Sequence, residues 1–253
     1  MSPWSSLQVL DGPGELATEA AARFARAAAR ALERGSLFRV ALSGGSTPLQ
    51  TYRLLATAPA SFPVRWGSVQ FFWGDERFVP PDDPQSNYRA ACEAFLDHLP
   101  CPPAGVFPVP TRAGSPAAAA AAYEATLRSA FAVQGVPQFD LILLGLGTDG
   151  HTASLFPGAI PDPRDAALVA GIQAEGLSPG RISLTPNTLN HAREVVFLVV
   201  GADKADILRR VLQSEAPDPD LPATLVQPMD GTITWMADRA AAADCGQSTG
   251  ERS

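Results

Sequence analysis

The stretch that most limits what this chain can become is residues 139–158, FDLILLGLGTDGHTASLFPG. It opens with four aliphatic residues, Leu141, Ile142, Leu143 and Leu144. Such a run is too short for a helix and suits a strand covered on both faces, as in a parallel sheet flanked by helices. Gly145, Gly147 and Gly150 follow at once, and only glycine turns this tightly without a Cβ penalty. Asp149 and His151 sit in and just beyond that turn. Ligands of open α/β sheets bind outside the carboxyl ends of the strands. An imidazole, with its unperturbed pKa near ~6.5, is suited to proton transfer there. The plainer alternative is a histidine that caps a short helix.

The rest of the chain alternates in the same way. Strands are expected at residues 7–10, 37–42, 69–73, 181–185, 195–200 and 232–236. A helix follows Pro13, with Leu16, Ala20, Phe24, Ala28 and Leu32 at helical spacing up to Gly35. Leu49, Tyr52 and Leu55 mark a second helix. Ser86 caps a third that runs to about Leu99, with Cys92, Phe95 and Leu96 inward. Ser115-Pro116 opens a fourth, rich in alanine. Shorter helical stretches are expected around 188–193, around Ile207, Leu208, Val211 and Leu212, and from Asp238. Strands alternating with helices predict an α/β fold: a single Rossmann-like domain, residues 1–245, with a mostly parallel sheet and helices on both faces. A disordered tail is expected over 246–253.

Composition narrows the partners. The 253 residues are 46% apolar and 18% charged, the balance of a globular protein. A net charge of −7 without a Lys/Arg block argues against nucleic acid, so an anionic substrate would need a local cationic pocket. Cys92, Cys101 and Cys245 have neither CxxC nor other ligand spacing, so no metal is expected and a reduced cytosolic compartment is. No signal peptide is visible and no apolar run approaches ~20 residues. A soluble, cytoplasmic protein with no membrane partner is expected.

Four local patterns are weighed against plain alternatives. Residues 145–150 match GxGxxG, with Glu175 further on, but Pro157, Pro161 and Pro163 forbid the crossover helix a dinucleotide site needs. SGGSTP places Ser43, Gly44, Gly45, Ser46 and Thr47 between a strand and a helix whose first turn holds Pro48, which suits an anion. No Gly-Lys-Ser/Thr follows, so it is not a nucleoside triphosphate loop; the alternative is an ordinary tight turn. Gly74-Asp75-Glu76-Arg77 reads on its own as a solvated loop with a weak surface ion pair. His98 and His191 read as surface or capping residues, and no GxSxG elbow supports a serine hydrolase.

Taken in order, ALSGGSTP (41–48), FFWGDERFVPPDDPQSNY (71–88), FDLILLGLGTDGHTASLFPG (139–158), RISLTPNTLNHAREVVFLVVGADK (181–204), LPATLVQP and GTITWMAD resemble the 6-phosphogluconolactonase family. That family lies in a superfamily with glucosamine-6-phosphate deaminases. The resemblance implies hydrolysis of 6-phospho-D-glucono-1,5-lactone, the second step of the oxidative pentose phosphate pathway, with no cofactor consumed. It implies His151 as general base, with Asp75 and Arg77 in the site. The SGG loop, Arg181 and Lys204 would hold the phosphate of this small-molecule sugar-phosphate lactone. Donors for the oxyanion are left open between Arg77 and the backbone of the turn holding Gly147, Asp149 and Gly150. Either Asp75 or Asp149 would orient His151 or the water; Asp75 is favoured for a site role because Asp149 can instead hold the turn. A monomer or weak homo-oligomer is expected. The deaminases carry an acid before the proline that follows their DGH turn, where this chain has Phe156. That leaves deamination and a non-catalytic sugar-phosphate binder as alternatives.

Overall fold

Short aliphatic and aromatic runs become strands here because their side chains are covered on both sides, and β3, β6 and β9 below are buried at every position. A computed structural model describes residues 5–162, 166–173 and 177–245. The chain opens with β1 (Ser5–Leu10) and α1 (Pro13–Glu33). It continues through β2 (Phe38–Leu42), α2 (Ser46–Thr57), β3 (Val69–Trp73), β4 (Asp75–Arg77) and α3 (Asn87–Ala94). Next come β5 (Gly105–Val106), α4 (Pro116–Phe131), β6 (Leu141–Leu144), β7 (Val169–Ile172) and β8 (Arg181–Leu184). The last elements are α5 (Pro186–Leu189), β9 (Glu194–Val199), α6 (Ala205–Gln213) and β10 (Thr232–Asp238).

Seven strands pair in the order β1-β10-β9-β6-β2-β3-β5, all parallel. Side chains alternate across a strand, and β3 shows what each face carries. Phe71 packs with Phe24 of α1, Trp66 and Phe95. Its neighbour Phe72 meets Phe107, Phe139 and Phe131 of α4 on the other face. Helices therefore cover both faces, as the alternating sequence predicts. From β2 the chain builds outward to β3 and β5, whereas from β6 it builds the other way to β9 and β10. The β2/β6 boundary is the point where strand order reverses, and the crevice beyond its carboxyl ends is where such sheets bind ligands.

Several expectations are corrected. Residues 75–77 are not a loop: β4 pairs antiparallel with β8, which pairs with β7, in a separate three-stranded sheet. The strand expected at 181–185 thus lies outside the main sheet. The third helix stops at Ala94, where Phe95 (φ −161°) breaks the backbone, and resumes as a 3-10 turn over Leu96–His98. The stretch at 188–193 is a single turn, α5, beginning two residues earlier at Pro186. After Asp238 the chain forms turns rather than a helix, with the Asp238 carboxylate taking the Ala241 N–H. Strands β5 and β7 were not anticipated. Glu175, Pro163 and the tail 246–253 lie outside the described residues. Among the described residues no helix is long and apolar enough to cross a membrane, and no three metal-ligating side chains converge.

Candidate active site

Beyond the carboxyl ends of β2, β6 and β9 lies a cavity of about 280 Å3, bordered also by Asp75 and Arg77 of β4. The β2–α2 loop forms one wall with Ser43, Gly44, Gly45, Ser46 and Thr47. Gly45 has φ 100°, a conformation that glycine adopts without strain. Ser46 and Thr47 open α2, so their N–H groups have no acceptor within the helix. The loop is held from behind by Tyr52: the Ser43 N–H donates to the Tyr52 hydroxyl (3.1 Å), which donates to the Ser43 carbonyl (3.0 Å). Tyr123 of α4 does the same for Trp73 at the end of β3. Burial pushes the pKa of both phenols up, so they remain neutral clamps. The Ser43 hydroxyl is buried and has no protein partner among the described residues.

The turn after β6 forms a second wall and seats His151. The Gly147 N–H donates to the His151 carbonyl (2.8 Å) and the Gly150 N–H to the Gly147 carbonyl (3.1 Å). A Cβ on Gly147 would lie 2.0 Å from His151 Nδ1, so the imidazole occupies the space glycine leaves open. Asp149 Oδ1 accepts from the His151 backbone N–H (3.1 Å) and faces ring Nδ1 at 2.6 Å. One carboxylate therefore holds both the turn and the ring, leaving Nε2 as the other ring nitrogen. Burial alone would raise the Asp149 pKa; hydrogen bonds and charge from His151 outweigh it and hold the carboxyl below its ordinary value. The Phe156 ring centroid packs 4.6 Å from that of the imidazole, an apolar neighbour for the histidine.

Asp75 lies on the cavity wall but makes other contacts. Its Oδ2 accepts from Ser154 Oγ (2.6 Å) and its Oδ1 from Asn87 Nδ2 (3.4 Å). Glu76 points the other way and is buried, taking the N–H groups of Asn87 and Tyr88 at the start of α3 and the Ser86 hydroxyl. Burial raises its pKa, against the pull of those N–H groups. The surface ion pair considered for this segment is thus replaced by two buried carboxylates with separate duties. Asn87 and Ser154 were not singled out from sequence, where Ser86 was read only as the cap it proves to be (Arg89 N–H to Ser86 Oγ, 3.2 Å).

Arg77 and Lys204 supply the positive side chains of the wall, and Lys204 is the single lysine of the sequence. Lys204 lies at the end of the turn between β9 and α6, with Asp203 3.5 Å away. Arg77 donates to the Gln85 carbonyl at 2.7 Å. Arg181 is not brought onto the wall. It stands opposite Arg77 in the β4–β8 register and donates to the carbonyls of Pro179 and Gly180. Burial, and then the Arg77 charge, push its pKa down. His98 and His191 bond backbone carbonyls of Glu93 and Asn187, as capping residues do. Among the described residues beyond Gly150 no crossover helix follows before β7, which removes the structural basis of the GxGxxG match.

Comparisons with known proteins agree with this geometry. A 6-phosphogluconolactonase of Synechocystis is 42% identical over 208 residues, covering 80% of this chain and 82% of the relative. That of Rattus norvegicus is 39% identical over 245 residues, covering 93% and 92%. The solved 6-phosphogluconolactonase of Trypanosoma brucei superposes with a TM-score of 0.81 at 30% identity over 95% of this chain and 98% of that one. A monomeric glucosamine-6-phosphate deaminase, 22% identical with a TM-score of 0.77, shares the fold over 94% of this chain and 99% of its own. The family model described as glucosamine-6-phosphate isomerases/6-phosphogluconolactonase matches residues 11–235. With that model matched over most of its length and relatives 39–42% identical, the chain belongs to the glucosamine-6-phosphate isomerase/6-phosphogluconolactonase family.

Proposed function

We propose that this protein hydrolyses 6-phospho-D-glucono-1,5-lactone to 6-phospho-D-gluconate, with His151 as the general base. The observation that carries the reading is a histidine held by Asp149 in the same cavity as an anion-binding loop and Lys204. His151 Nε2 takes a proton from water as the water oxygen bonds to lactone C1. Charge collects on the former carbonyl oxygen. The intermediate then collapses, the bond from C1 to the ring oxygen breaks, and the imidazolium returns its proton to that oxygen. The acid formed loses its remaining proton to solvent at neutral pH. Such proton transfer supplies ~10²–10⁴-fold in rate.

Because the Gly147 and Gly150 N–H groups are engaged within the turn, Arg77 is the stronger candidate for the oxyanion, in keeping with its place on the wall. The phosphate sits on the N–H groups and hydroxyls of the 43–47 loop and on Lys204, which fixes C1 relative to His151. Arg181 does not line the cavity, so its share is smaller.

The test is hydrolysis of fresh 6-phosphogluconolactone above its spontaneous rate, for wild type and His151→Ala. No acceleration by wild type rules out the activity and leaves a sugar-phosphate binder. Full activity in the variant rules out the mechanism alone.

A further inference from the structure

A second property of the site follows from one buried side chain, Asn87, the first residue of α3 and 4% exposed. On one side its Nδ2 donates to the Asp75 carbonyl (3.0 Å) and faces Asp75 Oδ1 (3.4 Å), while its backbone N–H is fixed by Glu76 at 2.7 Å. On the other side its amide fills the space beside Gly44 of the 43–47 loop. A Cβ built on Gly44 would fall 1.9 Å from Asn87 Oδ1 and 2.5 Å from its Cγ. Gly44 is not among the glycines with positive φ, unlike Gly45 beside it. Its backbone would accept alanine, so Asn87, not chain geometry, is what requires glycine at 44.

We propose that Asn87 is a positioning residue that couples the anion loop to Asp75, so that a phosphate seated on residues 43–47 sets the orientation of the Asp75 carboxylate. Glu76 and Ser86 hold the start of α3, so Asn87 cannot withdraw without disturbing the buried acid. Ser154 Oγ holds the second Asp75 oxygen at 2.6 Å, so among the described residues Asn87 is the hydrogen-bonded contact through which loop displacement reaches this carboxylate. Asp75 lines the same cavity as His151, so binding energy from the phosphate, remote from C1, is converted into the setting of a carboxylate beside the lactone, a route by which it raises kcat as well as lowering KM. The catalytic arm rests on the lactonase reading; the coupling itself does not.

The experiment is a double-mutant cycle of Gly44→Ala, Asn87→Ala and the pair. Inorganic phosphate affinity, kcat, KM and melting temperature are measured for each. In the wild-type background Gly44→Ala should weaken phosphate binding by about tenfold or more, because the new methyl and the amide cannot share the space; in the Asn87→Ala background the same change should cost little. Asn87→Ala alone should lower kcat by about tenfold with a smaller change in KM. Equal effects of Gly44→Ala in both backgrounds would overturn the coupling, as would wild-type kcat in Asn87→Ala. If Gly44→Ala fails to fold, folding of the double variant supports the steric claim; failure of both, with kcat retained in Asn87→Ala, sinks it. If wild type hydrolyses no lactone, the function falls, and the phosphate arm still decides the coupling.

Discussion

The two ends of the parallel sheet treat polar groups in opposite ways. At the carboxyl ends of β2 and β6, hydrogen-bonding capacity is left unspent: among the described residues the buried Ser43 hydroxyl lacks a protein partner, and the first N–H groups of α2 have no helical acceptor. At the amino ends of β6 and β9, the buried acids Asp140 and Glu194 are closed off by arginines. Arg23 and Arg30 grip the two oxygens of Glu194, and Arg34 and Arg193 converge on Asp140. Asp140 also accepts the Arg39 backbone N–H at 2.9 Å, tying β6 to β2. One end is a staple of α1 to the sheet; the other holds groups in readiness for a ligand. Charge density alone does not separate them, since both ends line cavities and both carry arginine. Satisfaction does.

The largest expected effect sits at the carboxyl end. His151→Ala should lower kcat ~10²–10⁴-fold with little change in melting temperature; a large drop in stability would blur the distinction between the ends. Lys204→Ala should raise KM by about 10–100-fold, the worth of a hydrogen bond to a charged group, and Lys204→Arg should not restore it fully, because a planar fork replaces a compact charge. Arg181→Ala should raise KM less. Steady-state kinetics orders all three, and an unchanged KM in Lys204→Ala removes that residue from the phosphate site.

At the amino end the readout reverses. Glu194→Ala should lower the unfolding free energy by about 1–3 kcal/mol and spare kcat/KM; partial exposure of Arg23 and Arg30 keeps the loss below that of a fully buried pair. Ser43→Ala makes the matching test. It should leave stability unchanged or raise it by up to about 1 kcal/mol, since it deletes an unpaired buried hydroxyl, yet weaken phosphate binding. Denaturant melts of the two variants should move apart; if both destabilise equally, the contrast fails.

The smallest effect is a pH dependence. The Asp149 carboxyl is held below its ordinary pKa in the folded protein. Its stabilisation is therefore present above the unfolded value, about pH 4, and is lost as pH falls through the lower folded one. The gap in melting temperature between wild type and Asp149→Asn should be open at neutral pH and close in acid. A constant gap would mean that the charge of Asp149 contributes nothing.

Much of this was legible because the central strands are written as unbroken apolar runs. Residues 69–73 announce β3 at its full length, and Leu141 to Leu144 announce β6. Strand β7, VAGI, hides because a glycine interrupts it and only its two end residues are buried; that glycine lets α4 approach, since a Cβ at Gly171 would meet the Pro116 carbonyl carbon at 2.4 Å. Residues 75–77 hide for the opposite reason. Their acids look solvated until tertiary structure supplies the α3 N–H groups for Glu76 and the Ser154 hydroxyl for Asp75. Asn87 is silent for the same reason, because its partners lie across the cavity wall. The lone lysine stands out in a chain rich in arginine, and the fold places it on the cavity wall.

The seat of β1 at the edge of the sheet has a consequence for how the protein is made. Ser6 faces Thr234 across the β1–β10 pair, 228 residues later in the chain. Strand β1 thus leaves the ribosome well over two hundred residues before the partner it pairs with. Strands β2, β3, β6 and β9, and Lys204 after them, all emerge before β10 does. Closing so long a loop adds only ~0.6 kcal/mol per doubling of length, but it has to wait until β10 has been made. The crevice where chemistry is placed has all its strands in hand while the rim of the sheet still waits for its final neighbour.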